Sequence, residues 1–189
     1  MGNHSNMISI MLVELERHLQ DIPARELHFG SGQYLFHLGD RVRIIHLVQE
    51  GTVHLARNQM DGSSVILQRA GPDSILAEAS LYSDKYHCDA TAISPTRTHA
   101  FTKADLQSLL QKTPEFGNIW ARHLARELQR TRMQAEILAL KTVAERLDAW
   151  IAWNDADFPR KGGWKIIANQ LGVSPEALYR EIAKRRLPA

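Results

Sequence analysis

Turn signals interrupt the chain about every ten residues between Arg25 and Arg97: Gly30 and Gly32, Gly39-Asp40, Glu50-Gly51, Asp61-Gly62 and Gly71-Pro72. The segments between them are too short for helices of crossover length, which excludes a parallel βαβ layer and leaves an antiparallel roll. The run Arg43 to Val48, then Glu50-Gly51, then Thr52 to Ala56 alternates apolar and polar residues and reads as a hairpin. Ser64 to Leu67 adds a strand after the Asp61-Gly62 turn.

After Phe101 the hydrophobic period lengthens from two to about 3.6 residues. Thr102-Lys103-Ala104-Asp105 is a capping pattern leading into Leu106, Leu109 and Leu110, a short helix that closes the roll. Thr113-Pro114-Glu115 then supplies an N-cap, a first-turn proline and an acidic residue, and no breaker follows until about Leu140. Along this long helix Ala121, Leu124, Leu128, Thr131, Ala135 and Leu138 keep a 3,4 spacing, with Arg122, Arg126, Arg130, Arg132 and Glu136 off the seam. Such a stripe suits a partner helix, and equally a helix packed against its own roll; periodicity leaves the two open. Thr142-Val143-Ala144-Glu145 restarts the capping pattern for a further helix with Val143, Leu147, Trp150 and Ile151 on its apolar face, and a loop is expected from Asn154 to Gly163.

The C-terminal stretch is the most informative. Ile166, Ile167, Ala168 and Leu171 pattern one helix, Gly172-Val173-Ser174-Pro175-Glu176 turns the chain, and Leu178, Ile182 and Leu187 pattern the next. Gly172 admits the positive φ needed after a helix end, Ser174 can cap the second helix, and Pro175 fits its first turn. Glu176, Tyr179, Arg180, Lys184, Arg185 and Arg186 point largely away from Leu178 and Ile182, as on a recognition helix in a major groove. Arg suits bidentate contact with guanine and Glu accepts from cytosine N4, so Glu176 and Arg180 could read adjacent base pairs. The same spacing also describes an ordinary i,i+4 surface ion pair.

Charge supports the nucleic-acid reading. The whole chain is only +2, but residues 159 to 189 carry 7 Lys and Arg against 2 Glu, a local +5. Phosphates would therefore be drawn to the C-terminal tip. The single cysteine, Cys88, excludes an intramolecular disulfide, and no signal peptide or apolar run of membrane-spanning length is present, so a cytoplasmic protein without a membrane partner is expected. No nucleophile-base-orienter set, metal-ligand spacing or phosphate-cradling glycine loop occurs, which argues against an enzyme and against a metal site.

The order of Gly32-Gln33-Tyr34-Leu35-Phe36 with Gly39-Asp40, Glu50-Gly51-Thr52-Val53, Asp61-Gly62, Ala90-Thr91-Ala92, Ala144-Glu145-Arg146-Leu147 and Leu171-Gly172-Val173-Ser174 through Tyr179-Arg180 resembles the Crp/Fnr superfamily of bacterial regulators. The likeness covers nearly the whole chain. It implies an α+β chain with a jelly-roll-like antiparallel β-roll sensor (1–113), a dimerisation helix (114–141) and a small helix-turn-helix domain with a truncated wing (142–189). It places DNA contacts at Ser174, Glu176 and Arg180, to which the exposed pattern of the same helix adds Tyr179 and Lys184, and it places subunit pairing on the 3,4 seam. It places the effector pocket at Leu76, Ala77, Glu78, Cys88, Asp89 and Thr91.

This chain departs from the family's nucleotide-binding pattern, in which a Gly-Glu pair is followed by Arg-Ser/Thr. Glu78 remains, but Ala77 replaces the glycine and Cys88-Asp89 replaces Arg-Ser, so a phosphate would lose its cation and meet a like charge. Cyclic AMP is therefore not the expected effector. An iron-sulfur cluster held by one chain is excluded by the single cysteine. Haem stays open through His87-Cys88, His28, His37, His46, His54 and His99, although such residues are more often plain strand histidines and Cys88 a buried small hydrophobe. At the other end Pro175 stands where many relatives have Arg and Glu181 where an apolar residue is common, and the usual wing is not expected after the recognition helix.

The expected function is sequence-specific DNA binding by a homodimeric transcription regulator controlled by an unidentified small-molecule effector, with RNA polymerase a candidate further partner. The alternatives are a sensing or docking module whose helix-turn-helix no longer binds DNA, and a haem-based gas sensor.

Overall fold

The computed structural model describes residues 14–154 and 163–186. Eight strands form between the turn glycines: β1 (Ala24–Phe29), β2 (Tyr34–Phe36), β3 (Ile44–Glu50), β4 (Val53–Asn58), β5 (Ser64–Ala70), β6 (Ile75–Leu76), β7 (Asp89–Ala92) and β8 (Thr96–Thr102). They make two four-stranded sheets, ordered β1-β8-β3-β6 and β2-β7-β4-β5, with every pairing antiparallel. The expected α+β roll is present.

The hairpin expected across Glu50-Gly51 is not. β3 pairs with β8 and β6, whereas β4 pairs with β5 and β7 in the other sheet. The chain turns a corner at Gly51, whose φ is +90° and whose missing Cβ would stand 2.4 Å from the Pro95 carbonyl oxygen. Only glycine fits that close crossing over the β7–β8 connection, and the crossing carries the chain from one sheet to the other. The hairpin forms one turn later, where Asp61-Gly62 joins β4 to β5.

The sheets close over a core that includes Val48, Val53, Ala90 and Ala92, all fully buried. His46 of β3 stands among them: its ring stacks on Phe36 of β2, and its Nδ1 lies 3.1 Å from the Thr98 hydroxyl. Residues 14–19 are helical and bury Leu15 and Leu19. Helix α1 (Lys103–Lys112) starts at Thr102, whose hydroxyl accepts from the Asp105 amide at 3.1 Å, the cap anticipated from the sequence.

Helix α2 (Pro114–Ala139) follows. The chain divides into two compact units inside it, after His123. In the first unit α2 buries Phe116, Ile119, Trp120 and His123. In the second, Ile137 joins Leu147, Ile167, Ala168, Leu171, Leu178 and Ile182 in a separate core, built with α3 (Val143–Asn154), α4 (Trp164–Leu171) and α5 (Pro175–Arg186). Thr142 and Glu145 form a reciprocal cap on α3, at 2.9 and 3.2 Å. Most of the expected loop between Asn154 and Gly163, and Leu187, lie outside the described residues. Among those residues no helix is long and apolar enough to cross a membrane.

Burial pushes the His46 imidazole down from 6.5 to about 4. Its folded form thus resists protonation while the unfolded chain accepts a proton near pH 6.5, so its contribution to stability is intact above that pH and is lost as pH falls toward 4. Denaturant titrations from pH 7.5 to 4.5 should show the native protein losing about 2–3 kcal/mol more than His46→Gln over that range. Parallel losses in the two proteins would show that the imidazole protonates freely in the fold.

Candidate nucleic-acid interface and effector site

The second unit joins two helices through a tight turn. α4 ends at Gly172, whose φ of +63° and ψ of +37° place it in the left-handed region, with Val173 N donating back to the Ala168 carbonyl at 3.0 Å. Ser174 then caps α5: its hydroxyl accepts from the Ala177 amide at 3.2 Å, and Pro175 occupies the first helical position. Leu178 and Ile182 are fully buried on one face of α5, and Ala168 has no exposed surface, leaving the two helices room for close approach.

Ser174, Glu176, Tyr179, Arg180 and Lys184 are all exposed; Glu176, Arg180 and Lys184, spaced i, i+4 and i+8, run along the face away from Leu178 and Ile182, with Tyr179 to one side and Ser174 at the N-terminal end. The Glu176 carboxyl is held below its ordinary value by its own backbone amide, then by the Ser174 hydroxyl and the charge of Arg180. It is therefore an anion ready to accept hydrogen bonds. Tyr179 packs against Trp164 with ring centroids 5.3 Å apart, which seats the phenol at the edge of the same surface.

Arg185 does not join them. It folds back onto α3, donating to Asp148, to Glu181 at 2.8 Å and to the Ala144 carbonyl at 3.0 Å. The sequence reading pointed it outward because helical spacing fixes where a side chain starts, not where a long one ends. Glu181, which stands where an apolar residue was expected, is the intrahelical partner of that arginine and is half-buried with it. The positive field of the tip among the described residues is carried instead by Lys165, Arg180 and Lys184 on the exposed surface.

The six residues expected to line an effector pocket lie in two neighbouring segments of the roll. Leu76, Ala77 and Cys88 are buried, while Glu78, Asp89 and Thr91 are half-buried. Ala77 adopts φ +69°, a conformation that favours glycine, so the backbone shape persists here although the residue does not. Asp89 accepts from the Leu38 amide at 2.8 Å and from Asn58 at 3.4 Å, with His37 Nδ1 3.5 Å away; it braces β7 to the loop after β2 and to β4.

Sequence reasoning missed two participants, Arg57 and Ser80, which both meet His87. Arg57 of β4 donates twice to the His87 carbonyl, at 3.2 and 2.7 Å, and the His87 ring meets the buried Ser80 hydroxyl at 2.9 Å. A guanidinium thus does stand beside Cys88-Asp89, but it reaches there from another strand, a placement that only strand pairing reveals. A cleft of about 350 Å³ between Leu19 and Ile22 on one side and Leu47 and Phe101 on the other contains none of the six expected residues.

Four of the candidate haem ligands, Cys88, His28, His46 and His99, are engaged or poorly disposed to hold iron. Burial raises the Cys88 thiol, which disfavours the thiolate that would hold iron. His46 is sealed in the core against Thr98, and His28 and His99 both meet Glu26 at the surface. Among the described residues no group of three or more His, Cys, Asp or Glu could hold a metal ion.

Residues 26–113 match the family model of the cyclic nucleotide-binding domain. The chain is 26% identical over 120 residues to the cyclic AMP receptor protein of Thermus thermophilus, a match covering 63% of this chain and 56% of that relative. It thus spans little more than half of that relative's length. The N-terminal domain of a transcriptional regulator from Streptomyces coelicolor A3(2) is 31% identical, with a TM-score of 0.52 over 63% of this chain and 83% of that one. FixK2 from Bradyrhizobium japonicum, 18% identical, shares the fold with a TM-score of 0.68 over 86% of this chain and 84% of that one.

If Arg185 ties α5 to α3, Arg185→Ala should lower the unfolding free energy by about 0.5–1 kcal/mol, since the arginine is part of a half-exposed network. The check is a denaturant midpoint. An unchanged midpoint would mean the arginine is free to leave for another partner.

Proposed function

The chain belongs to the Crp/Fnr superfamily of transcription regulators, and from that premise we propose that it binds specific double-stranded DNA sequences as a homodimer in the cytoplasm. The observation that carries the proposal is the exposed surface of α5, where Glu176, Arg180 and Lys184 line the face opposite a fully buried Leu178 and Ile182, flanked by exposed Tyr179 and by Ser174 at the helix start. In this reading Glu176 and Arg180, one helical turn apart, meet the edges of adjacent base pairs, and Lys184 and Ser174 meet phosphates.

Pairing is the second half of the proposal. The seam of α2 is left uncovered within one chain: Leu128 is 50% and Leu138 45% exposed, Ala121, Thr131 and Ala135 are exposed and Leu124 is half-buried. The residues that α2 buries are others, which favours the partner-helix reading of the stripe over packing on its own roll. A second copy supplies the missing surface, and two recognition helices then enter successive major grooves about 34 Å apart. The sensor is the roll, organised as region 1–113 ahead of the dimerisation helix (114–141) and the DNA-binding region (142–189). Its effector acts by binding the two arrangements of the dimer unequally. A cyclic nucleotide held in the family's usual way is not that effector, because Asp89 occupies the place of the phosphate ligand and is engaged with Leu38 and Asn58.

The test is selection from a random duplex pool by the purified protein at moderate salt, with Arg180→Ala in parallel. The expected result is a two-fold-symmetric site whose preferred base at one position per half-site is lost in the variant, a discrimination of about 1–3 kcal/mol. Enrichment of no sequence, with only salt-sensitive binding, would instead identify a sensing or docking module that has lost base selection.

A further inference from the structure

One guanidinium reaches both the end of the long helix and the turn of the helix-turn-helix. Arg146, in the first turn of α3, donates from Nε to the Leu140 carbonyl at 2.9 Å and from Nη2 to the Leu138 carbonyl at 3.1 Å. Its Nη1 donates to the carbonyls of Leu171 at 2.9 Å and Gly172 at 3.3 Å. These four oxygens lie at the C-terminal ends of α2 and α4, where no helical N–H can satisfy them and the negative ends of the helix dipoles gather. A planar, permanently charged fork can serve both ends at once.

Packing reinforces the clamp. A Cβ on Gly172 would fall 2.6 Å from Leu138 Cδ2, so the turn is seated against the last turn of α2. A second tie lies one residue earlier, where the Gln134 side-chain amide of α2 donates to the Gln170 carbonyl, and Trp150 Nε1 donates to the Gln170 side chain at 2.8 Å. The carbonyls of Gln170, Leu171 and Gly172 are thus all taken by side chains from α2 or α3. The end of α2 and the recognition turn are held as one body.

We propose that Arg146 is a positioning residue for DNA recognition. It fixes the angle between α2 and α5, and thereby the separation at which the two heads of a dimer meet a duplex. This rests on the DNA-binding reading above. A lysine keeps the charge but not the fork, and one ammonium cannot span four carbonyls on two helix ends.

The test compares the native protein with Arg146→Lys on duplexes whose two half-sites are separated by spacers of different length. The native protein should prefer one spacing by about 10-fold or more in Kd. The variant should bind all spacings within about 3-fold of one another while keeping its base preference within each half-site. A merely structural arginine would weaken binding at every spacing alike, and that result would overturn the proposal. Amide hydrogen exchange on the full chain decides the clamp without DNA. Leu140, Gly172 and Val173, whose amides donate within this region, should exchange about 10-fold faster or more in Arg146→Lys while the roll is unchanged. Equal protection in the two proteins would overturn the proposal even if spacing preference shifted. Failure of the native protein to bind any duplex would contradict the DNA-binding reading alone, and exchange would still settle the clamp.

Discussion

The apolar side chains of α2 fall into three sets with different fates. Phe116, Ile119 and Trp120 are consumed by the first unit and Ile137 by the second, while Leu128 and Leu138 remain about half exposed. The seam is left uncovered within one chain, and in the proposed pairing a second copy would cover it with the same residues, as a two-fold interface requires. The helix-turn-helix, the clamp by Arg146 and the roll all attach to this one element. Under the DNA-binding proposal, the spacing of two recognition helices depends on how that seam is covered.

The roll keeps the backbone of a nucleotide-binding fold with different chemistry at the decisive positions. Ala77 holds a left-handed conformation that costs an alanine about 1 kcal/mol more than a glycine. Such local strain persists only where the surroundings over-determine the shape. The neighbouring anion, Asp89, is satisfied by a backbone amide and a side-chain amide, so it braces strands instead of waiting for a ligand. Arg57, Ser80 and His87 are the polar groups that the fold adds to this region.

Much of this was legible in the sequence because it is local. The caps at Thr102, Thr142 and Ser174 each depend on residues three positions apart, and all three form. Gly172 signals its turn because few other residues accept its φ. The misreadings share one cause, which is that the deciding partner is distant. Nothing in Arg43 to Ala56 announces that β3 will pair with β8, more than 45 residues on, and β4 with β7. Arg185 and Arg146 look alike in sequence as helical arginines near charged neighbours, yet one closes on Asp148 and the other on four carbonyls. Their roles follow from how α3 lies against α4 and α5.

Sedimentation equilibrium of the native protein beside Leu128→Glu tests the pairing of α2 most directly. Glutamate in the middle of the seam would place two carboxylates against each other in an apolar interface, at a cost of several kcal/mol. In one chain it would stay half in water. The native protein should therefore sediment with twice the mass of the chain at micromolar concentration, and Leu128→Glu as a monomer with unaltered helix content. A monomeric native protein, or a dimer that survives the substitution, would contradict the account.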